Sequence, residues 1–459
     1  MQFGAFIEKG PTDWEILQQA NGFTDVSISG TWNPSPENVD GKGDVFARIL
    51  KEDTSDVILA WTKAVSVGDH LWEVVLDKIP TGGTYRLETC LMEKDRQGIE
   101  RLRRGDMIHH LGVGDLYIIA GQSNSSGYGR GCIFDPPEIG VHLLRNSGRW
   151  DLATHPMNES TKTIHNENTE TGNPGHSPYL SFAKMLKREL GYPIGLIQAS
   201  KGGSSINRWN PSEVGDLYEC MLNIIKLQGG KIKGILWYQG ASEAISRNSA
   251  GYLDRFENMV VTLRRTLNMS ELPFLTVQQN RHTDAKPVSD DIYWGMIREA
   301  QRQAAKKIPQ VFVIPANDCR LSDGIHNSAS SNMVIGERLA KLALCGIYHK
   351  IKSYGAPNII KAERAENKCI KLTFENVNSG MMCYHVAPDK LPITVEDNTG
   401  LINIAEYRVE SNTIILELER EGLSGLLVHG AFGANPSAFI PMDTDSQLPM
   451  LSFYNVVVE

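Results

Sequence analysis

Three textures of apolar and polar positions succeed one another along the chain. Residues 1–108 alternate at period two: Val26 and Ile28 fall on one face of 25–30, and 57–61 and 71–76 repeat the alternation. A Gly82-Gly83 turn leads into another such run at 85–89. Half-buried strands with glycine punctuation predict a β-sandwich. Between 109 and 352 the pattern changes to short apolar runs at 116–120, 194–198, 234–238, 274–277 and 311–314. Helical periodicity fills the gaps at 179–190, 216–228, 250–267, 293–307 and 331–345. Strands apolar on both faces with helices between them predict a three-layer α/β/α domain around a parallel sheet. Residues 353–459 return to β texture, as at 370–374 and 413–418, with Met381-Met382 read as strand packing. The segment 124–176, rich in Gly, Asn, Thr and Pro, is expected to be a lid or rim.

Ligands of parallel sheets sit beyond the carboxyl ends of the strands, and four polar motifs fall there. Gly121-Gln122-Ser123-Asn124 follows the first strand, where a small residue beside a serine lets the hydroxyl stand clear of the sheet. Ser200-Lys201-Gly202-Gly203 follows the second; paired glycines let backbone N–H groups approach a developing anion. Its lysine does not make a phosphate loop, because the spacing lacks G-x-x-x-x-G-K-[ST]. Trp237-Tyr238-Gln239-Gly240 ends the third strand, and its glutamine amide either faces a carbonyl oxygen or caps the loop. Asp323-Gly324-Ile325-His326 follows the last strand; a D-x-x-H pair lets the carboxylate set the imidazole tautomer while the other ring nitrogen faces a nucleophile. Each motif alone has an ordinary loop reading. In this order, each after its own strand, they point to one site.

Together these motifs, with a tryptophan downstream of the double glycine, resemble the sialate O-acetylesterase and related carbohydrate-esterase branch of the SGNH hydrolases. The resemblance covers residues 109–345 and reaches upstream to the strands at 71–85. It implies a serine esterase removing acetyl groups from a sugar, either sialic acid or a hemicellulose-type oligosaccharide. Ser123 would be the nucleophile, His326 the general base and Asp323 its orienting partner. The oxyanion hole would combine the Ser123 N–H, the N–H of Gly202 or Gly203, and the Gln239 side chain. Trp209, with Arg208 beside it, would form a substrate wall, and Gln122 and Asn124 would adjoin the substrate; as a residue type, Trp209 fits either a stacking face or the core. Three departures from the family stand out. Ala241 replaces the acidic residue after W-Y-Q-G, with Glu243 two places on, which makes Asp323 the better partner for His326. Ser125 replaces the usual methionine. Only about 34 residues separate Gly203 from Trp237, too few for an inserted domain.

Composition narrows this reading. A length of 459 residues with 41% hydrophobic and 22% charged positions suits a globular protein of two or three domains. The net charge of -8 disfavours a nucleic-acid partner. No apolar run approaches the ~20 residues of a membrane span. Seven cysteines, an odd number without a C-x-x-C pair, argue against a disulfide framework or zinc knuckle. No cofactor and no metal are expected: His109-His110 read as a linker, and one of His155, His165 and His176 in the rim is a candidate to touch substrate. Residues 1–9 lack the features of a secretory signal. The expectation is therefore a cytoplasmic enzyme acting on a small acetylated carbohydrate. An SGNH lipase or thioesterase is the alternative enzyme, but a polar rim does not suit an acyl channel. A non-catalytic glycan-binding protein is the other alternative, against which the intact Ser, Asp and His set argues.

Overall fold

The computed structural model describes residues 2–285 and 289–459. Its organising element is the 22-residue strand Glu100–Gly121. The first half of this strand pairs antiparallel with Gly82–Lys94, and the second half runs parallel between Ile194–Gln198 and Gly234–Tyr238. Burial changes at the same point: 100–110 are exposed or half-buried, whereas every residue of 111–121 is buried. The residue pair 108/109 thus lies inside one continuous strand. His109 and His110 are strand residues, and their rings meet the Glu52 carboxylate at 2.9 and 2.8 Å.

The N-terminal region is two packed antiparallel layers. One contains Gly4–Lys9, Phe23–Asn33, Leu71–Pro80 and Val65–Gly68; the other contains Val57–Lys63, Gly43–Lys51, Gly82–Lys94 and the first half of Glu100–Gly121. Ile28, Val74, Leu76, Ile49 and Leu87 fill the space between them. Strict alternation over 71–76 gives Trp72, Val74 and Leu76 to this core and Leu71, Glu73 and Val75 to solvent.

The central sheet runs Trp150–Leu152, Val141–Leu144, Ile194–Gln198, Glu100–Gly121, Gly234–Tyr238, Phe274–Gln278, Val311–Pro315. All neighbours are parallel except the Trp150–Leu152 edge. Leu116, Ile118 and Ala120 join the core on one side, and Tyr117 and Ile119 that on the other. This is why the run is apolar without alternation: helices cover both faces. The helices are Tyr179–Leu190, Asp216–Leu227, Tyr252–Leu267, Asp291–Lys307 and Ala329–Gly346. None of the helices among the described residues is long and apolar enough to cross a membrane. The chain crosses from the central strand to one side and then to the other, so the carboxyl end of Glu100–Gly121 is the switch point of the sheet. Ser123 lies there.

The segment expected to be wholly rim contributes two strands, Val141–Leu144 and Trp150–Leu152, which extend the sheet edge. They are only four and three residues long, and a polar surround hides them from periodicity. Inside the first, His142 is fully buried. Its Nδ1 bonds the Trp14 carbonyl at 2.7 Å and its Nε2 accepts the Gly140 N–H at 3.2 Å, which defines a neutral tautomer. Burial pushes its pKa down to about 4. Above pH ~6.5 the ring is neutral in folded and unfolded chains; below it, only the unfolded chain takes up the proton, so stability falls as pH drops toward 4. By pH 4.5 this group alone is expected to cost roughly 2–3 kcal/mol. The measurement is urea unfolding at pH 7 and 4.5: His142→Gln should show a smaller acid loss than wild type by about that amount, and an identical loss would refute the assignment.

The C-terminal region is a second β unit of two four-stranded sheets around Ile370, Leu372, Phe374, Val395 and Val428. Arg298, buried in the helix Asp291–Lys307, joins this unit to the core. Its guanidinium donates to the carbonyls of Gln279 (2.8 Å), Asn280 (2.6 Å) and Phe432 (2.8 Å), and burial lowers its pKa to about 9.

Candidate active site

At the end of the central strand the chain turns sharply on Gly121, whose φ is +121° and whose missing Cβ would lie 2.3 Å from the Tyr238 carbonyl. Only glycine fits there. The turn opens a single helical turn, Ser123–Ser126. From 120 to 127 every residue is buried except Ser123. The neighbouring hydroxyls are consumed: Ser125 bonds Ala120 O at 2.8 Å and Tyr179 at 2.6 Å, and Ser126 meets Ser200 at 3.1 Å. The Ser125–Tyr179 contact accounts for a serine at this position. The Ser123 hydroxyl makes no hydrogen bond among the described residues, so of the three it alone is uncommitted.

Asp323 and His326 form the expected pair. Asp323 Oδ2 lies 2.7 Å from His326 Nδ1, and Oδ1 accepts the N–H groups of Ile325 (2.8 Å) and His326 (2.7 Å). Partial burial works against the carboxylate, but these hydrogen bonds hold its pKa below the ordinary value. With Nδ1 committed to Asp323, Nε2 is the ring nitrogen left to accept a proton. Asn124 brings this loop to Ser123: its Nδ2 donates to Ile325 O at 3.2 Å and its Oδ1 accepts the Asn327 N–H at 3.0 Å, one bond on each side of His326. Asn280, just past the strand Phe274–Gln278, repeats the clamp, donating to Ile325 O and Asn327 Oδ1 at 2.8 Å each.

Several expected roles are corrected. Asn124 is 2% exposed and holds the His326 loop instead of meeting substrate. The Gln122 side-chain oxygen Oε1 is taken by the N–H groups of Gly240 at 2.9 Å and Ser242 at 3.4 Å, so that side chain ties two loops. Gln239 does not reach an oxyanion. It is fully buried, and both amide hydrogens are spent, on Ser204 O at 3.2 Å and Glu243 Oε2 at 2.5 Å. Glu243, itself 2% exposed, also accepts the Ile206 N–H at 2.6 Å, and burial raises its pKa. It therefore braces the loop from 204 to 206 and is not a partner of His326. Trp209 is fully buried against Trp237, rings edge-on at 5.2 Å, with its indole N–H on Ser204 Oγ at 3.0 Å. It belongs to the core and offers no face to a sugar. Arg208 closes on Asp216 at 2.6 Å.

For an oxyanion, two backbone donors remain. Gly202 N–H is occupied by Glu170 Oε2 at 2.8 Å. The N–H groups of Ser123 and Gly203 have no acceptor among the described residues, and Gly203 is exposed with φ +68°. His155 and His176 are also corrected: neither is a free substrate contact. Their rings stack at 3.9 Å, and both Nε2 atoms meet Asp135 Oδ2, at 3.1 and 3.2 Å, while Lys184 takes Oδ1 at 2.8 Å. The Ser177 N–H lies 3.4 Å from His155 Nδ1. These contacts make the group a hydrogen-bonded anchor of the rim.

Sequence reasoning missed Tyr128, which stacks on the His326 ring with centroids 5.1 Å apart, and Asn280. Asn280 had a signal, a polar Gln278-Gln279-Asn280 run at a strand's carboxyl end. Tyr128 had none.

Residues 113–345 match the family described as "Carbohydrate esterase, sialic acid-specific acetylesterase". A probable carbohydrate esterase of Arabidopsis thaliana is 29% identical over 255 residues, which cover 50% of this chain and 90% of the relative. Human sialate O-acetylesterase is 24% identical over 314 residues; the match spans 57% of this chain and only 57% of the human protein's length. Among solved structures, a carbohydrate acetylesterase from Xanthomonas citri aligns over 96% of this chain and 97% of its own, with a TM-score of 0.66 at 20% identity. That likeness of fold embraces all three regions. With the family matched across the whole α/β domain, motif loops included, the chain belongs to the sialic acid-specific acetylesterase family of carbohydrate esterases.

Proposed function

We propose that the protein hydrolyses acetyl esters on a small carbohydrate through a serine acyl-enzyme. The observation that carries this reading is the one uncommitted hydroxyl of the turn, on Ser123, next in the chain to Asn124, whose side chain bonds both flanks of His326 in an Asp323–His326 pair bonded at 2.7 Å. In the first step His326 Nε2 takes the Ser123 proton as Oγ attacks the ester carbonyl. The tetrahedral oxyanion is met by the Ser123 and Gly203 N–H groups, and collapse expels the sugar hydroxyl, which receives the proton from His326. Water then repeats the sequence on the acetyl-enzyme and releases acetate. Asp323 stabilises the imidazolium formed in each half-reaction. Backbone donors fixed in advance contribute because they cost no reorganisation when charge develops.

The polar rim supports a sugar over an acyl chain: segment 153–176 is dominated by Asn, Thr, Glu, His and Gly. Family membership supports an acetylated sugar, sialic acid or hemicellulose-type oligosaccharide, without choosing between them. The test is hydrolysis measured side by side: acetate release from O-acetylated sialic acid and acetyl-xylo-oligosaccharides, and p-nitrophenol release from long-chain p-nitrophenyl esters. Turnover of an acetylated sugar at a kcat/KM at least tenfold above p-nitrophenyl octanoate is expected. Preference for the octanoate, or no acetate from any sugar, would overturn the proposal.

A further inference from the structure

Glu170 stands outside all four motifs, yet the rim, the exit of the Ser123 turn and the double-glycine loop meet at its carboxylate. The side chain is 2% exposed. Oε1 accepts the Tyr128 hydroxyl at 2.8 Å; Oε2 accepts the Gly202 N–H at 2.8 Å and Asn158 Nδ2 at 3.2 Å. Lys201 Nζ, 3.5 Å from Oε1, supplies the counter-charge that a buried carboxylate needs. Two glycines mark how close this packing is. A Cβ on Gly202 would fall 2.6 Å from Glu170 Oε1, and one on Gly172 would fall 2.1 Å from the Tyr128 hydroxyl. Tyr128 carries the contact onward to His326, its ring lying 25° from parallel with the imidazole.

We propose that Glu170 and Tyr128 form a positioning pair for ester hydrolysis. This inference rests on the serine-esterase reading above. The carboxylate ties the Gly202 N–H on one side and the Tyr128 ring on the other, so the loop carrying the Gly203 donor and the face of His326 are held in one register. General base and oxyanion donor act on the same tetrahedral centre, and a displacement of about 1 Å between them costs on the order of 10²-fold in rate. The contribution is geometric: a negative charge near a developing oxyanion opposes it, and Lys201 offsets that charge. An amide at this position keeps an oxygen for Gly202 and Asn158 and turns an NH₂ toward the Tyr128 oxygen, so it should serve nearly as well as the acid.

The experiment is steady-state hydrolysis of p-nitrophenyl acetate by wild type, Glu170→Ala, Glu170→Gln, Tyr128→Phe and the Tyr128→Phe/Glu170→Ala pair. Ser123→Ala is run in parallel, and folding is checked by thermal melting. Glu170→Ala should lower kcat by about 10- to 100-fold with KM within about twofold. Glu170→Gln should lose less than about fivefold, and the double variant should be no slower than Glu170→Ala, because both changes cut one link. A Glu170→Ala kcat within twofold of wild type overturns the pair, as does an equal loss in Ala and Gln variants, which would make charge the operative property. If Glu170→Ala does not fold, Tyr128→Phe decides: it removes one hydroxyl and leaves the ring, and an unchanged kcat refutes the link. Full activity in Ser123→Ala would strike the serine mechanism itself, a separate result from any of these.

Discussion

Ser123→Ala is expected to lower kcat for acetate release by about 10³–10⁶-fold while leaving KM nearly unchanged. The magnitude follows from the covalent step: without Oγ no acetyl-enzyme forms, and what remains is water attacking an ester polarised by two backbone N–H groups. His326→Ala should lose a similar factor, and the double variant should be no worse than either single one, because nucleophile and base act as a unit. Folding should survive, since the Ser123 hydroxyl bonds nothing among the described residues, in contrast to those of Ser125 and Ser126. Steady-state rates and an acetyl-enzyme burst with p-nitrophenyl acetate check this. A Ser123→Ala protein that retains the burst would place the nucleophile elsewhere.

What the sequence discloses and what it hides follow different physics. The strands at 116–120, 194–198 and 234–238 were legible because burial on both faces demands an unbroken apolar run, and Tyr117 and Ile118 do face opposite cores. The Asp323–His326 pair was legible because its members are three residues apart and their contact is local. Trp209 and Gln239 were misread because sequence gives residue type and place on the chain but not what packs above. An indole after a double glycine meets either solvent or Trp237, and here Trp237 decides. Gln239 is the same case in hydrogen bonding. The acidic residue missing at Ala241 returns as Glu243, in the first turn of the short helix Ala241–Ile245, and accepts the Gln239 amide. Glu170 and Tyr128, 42 residues apart, have no shared periodicity to betray them. The strand Val141–Leu144 escaped because four residues in a polar segment fall below any window in which a period can be recognised.

Asp323→Asn is the most discriminating change at the base. The wild-type carboxylate does two jobs at once: Oδ1 takes two backbone N–H groups and Oδ2 takes the His326 Nδ1 proton. An asparagine can keep the first contact only by placing its carbonyl oxygen at Oδ1, which turns its NH₂ toward Nδ1. That forces the imidazole proton onto Nε2, where it blocks acceptance of the Ser123 proton, and it removes the charge that stabilises the imidazolium. A loss of kcat of about 10²–10⁴-fold is expected, below the Ser123→Ala loss because the Asp323 side chain is 51% exposed and water can partly substitute. Glu243→Gln serves as the control. Its carboxyl meets Gln239 and the Ile206 N–H, so the change should weaken folding more than it lowers kcat. If Asp323→Asn left kcat within threefold of wild type while Glu243→Gln abolished it, the orienting carboxylate would be Glu243, acting through a rearranged Gln239, and the assignment to Asp323 would fall.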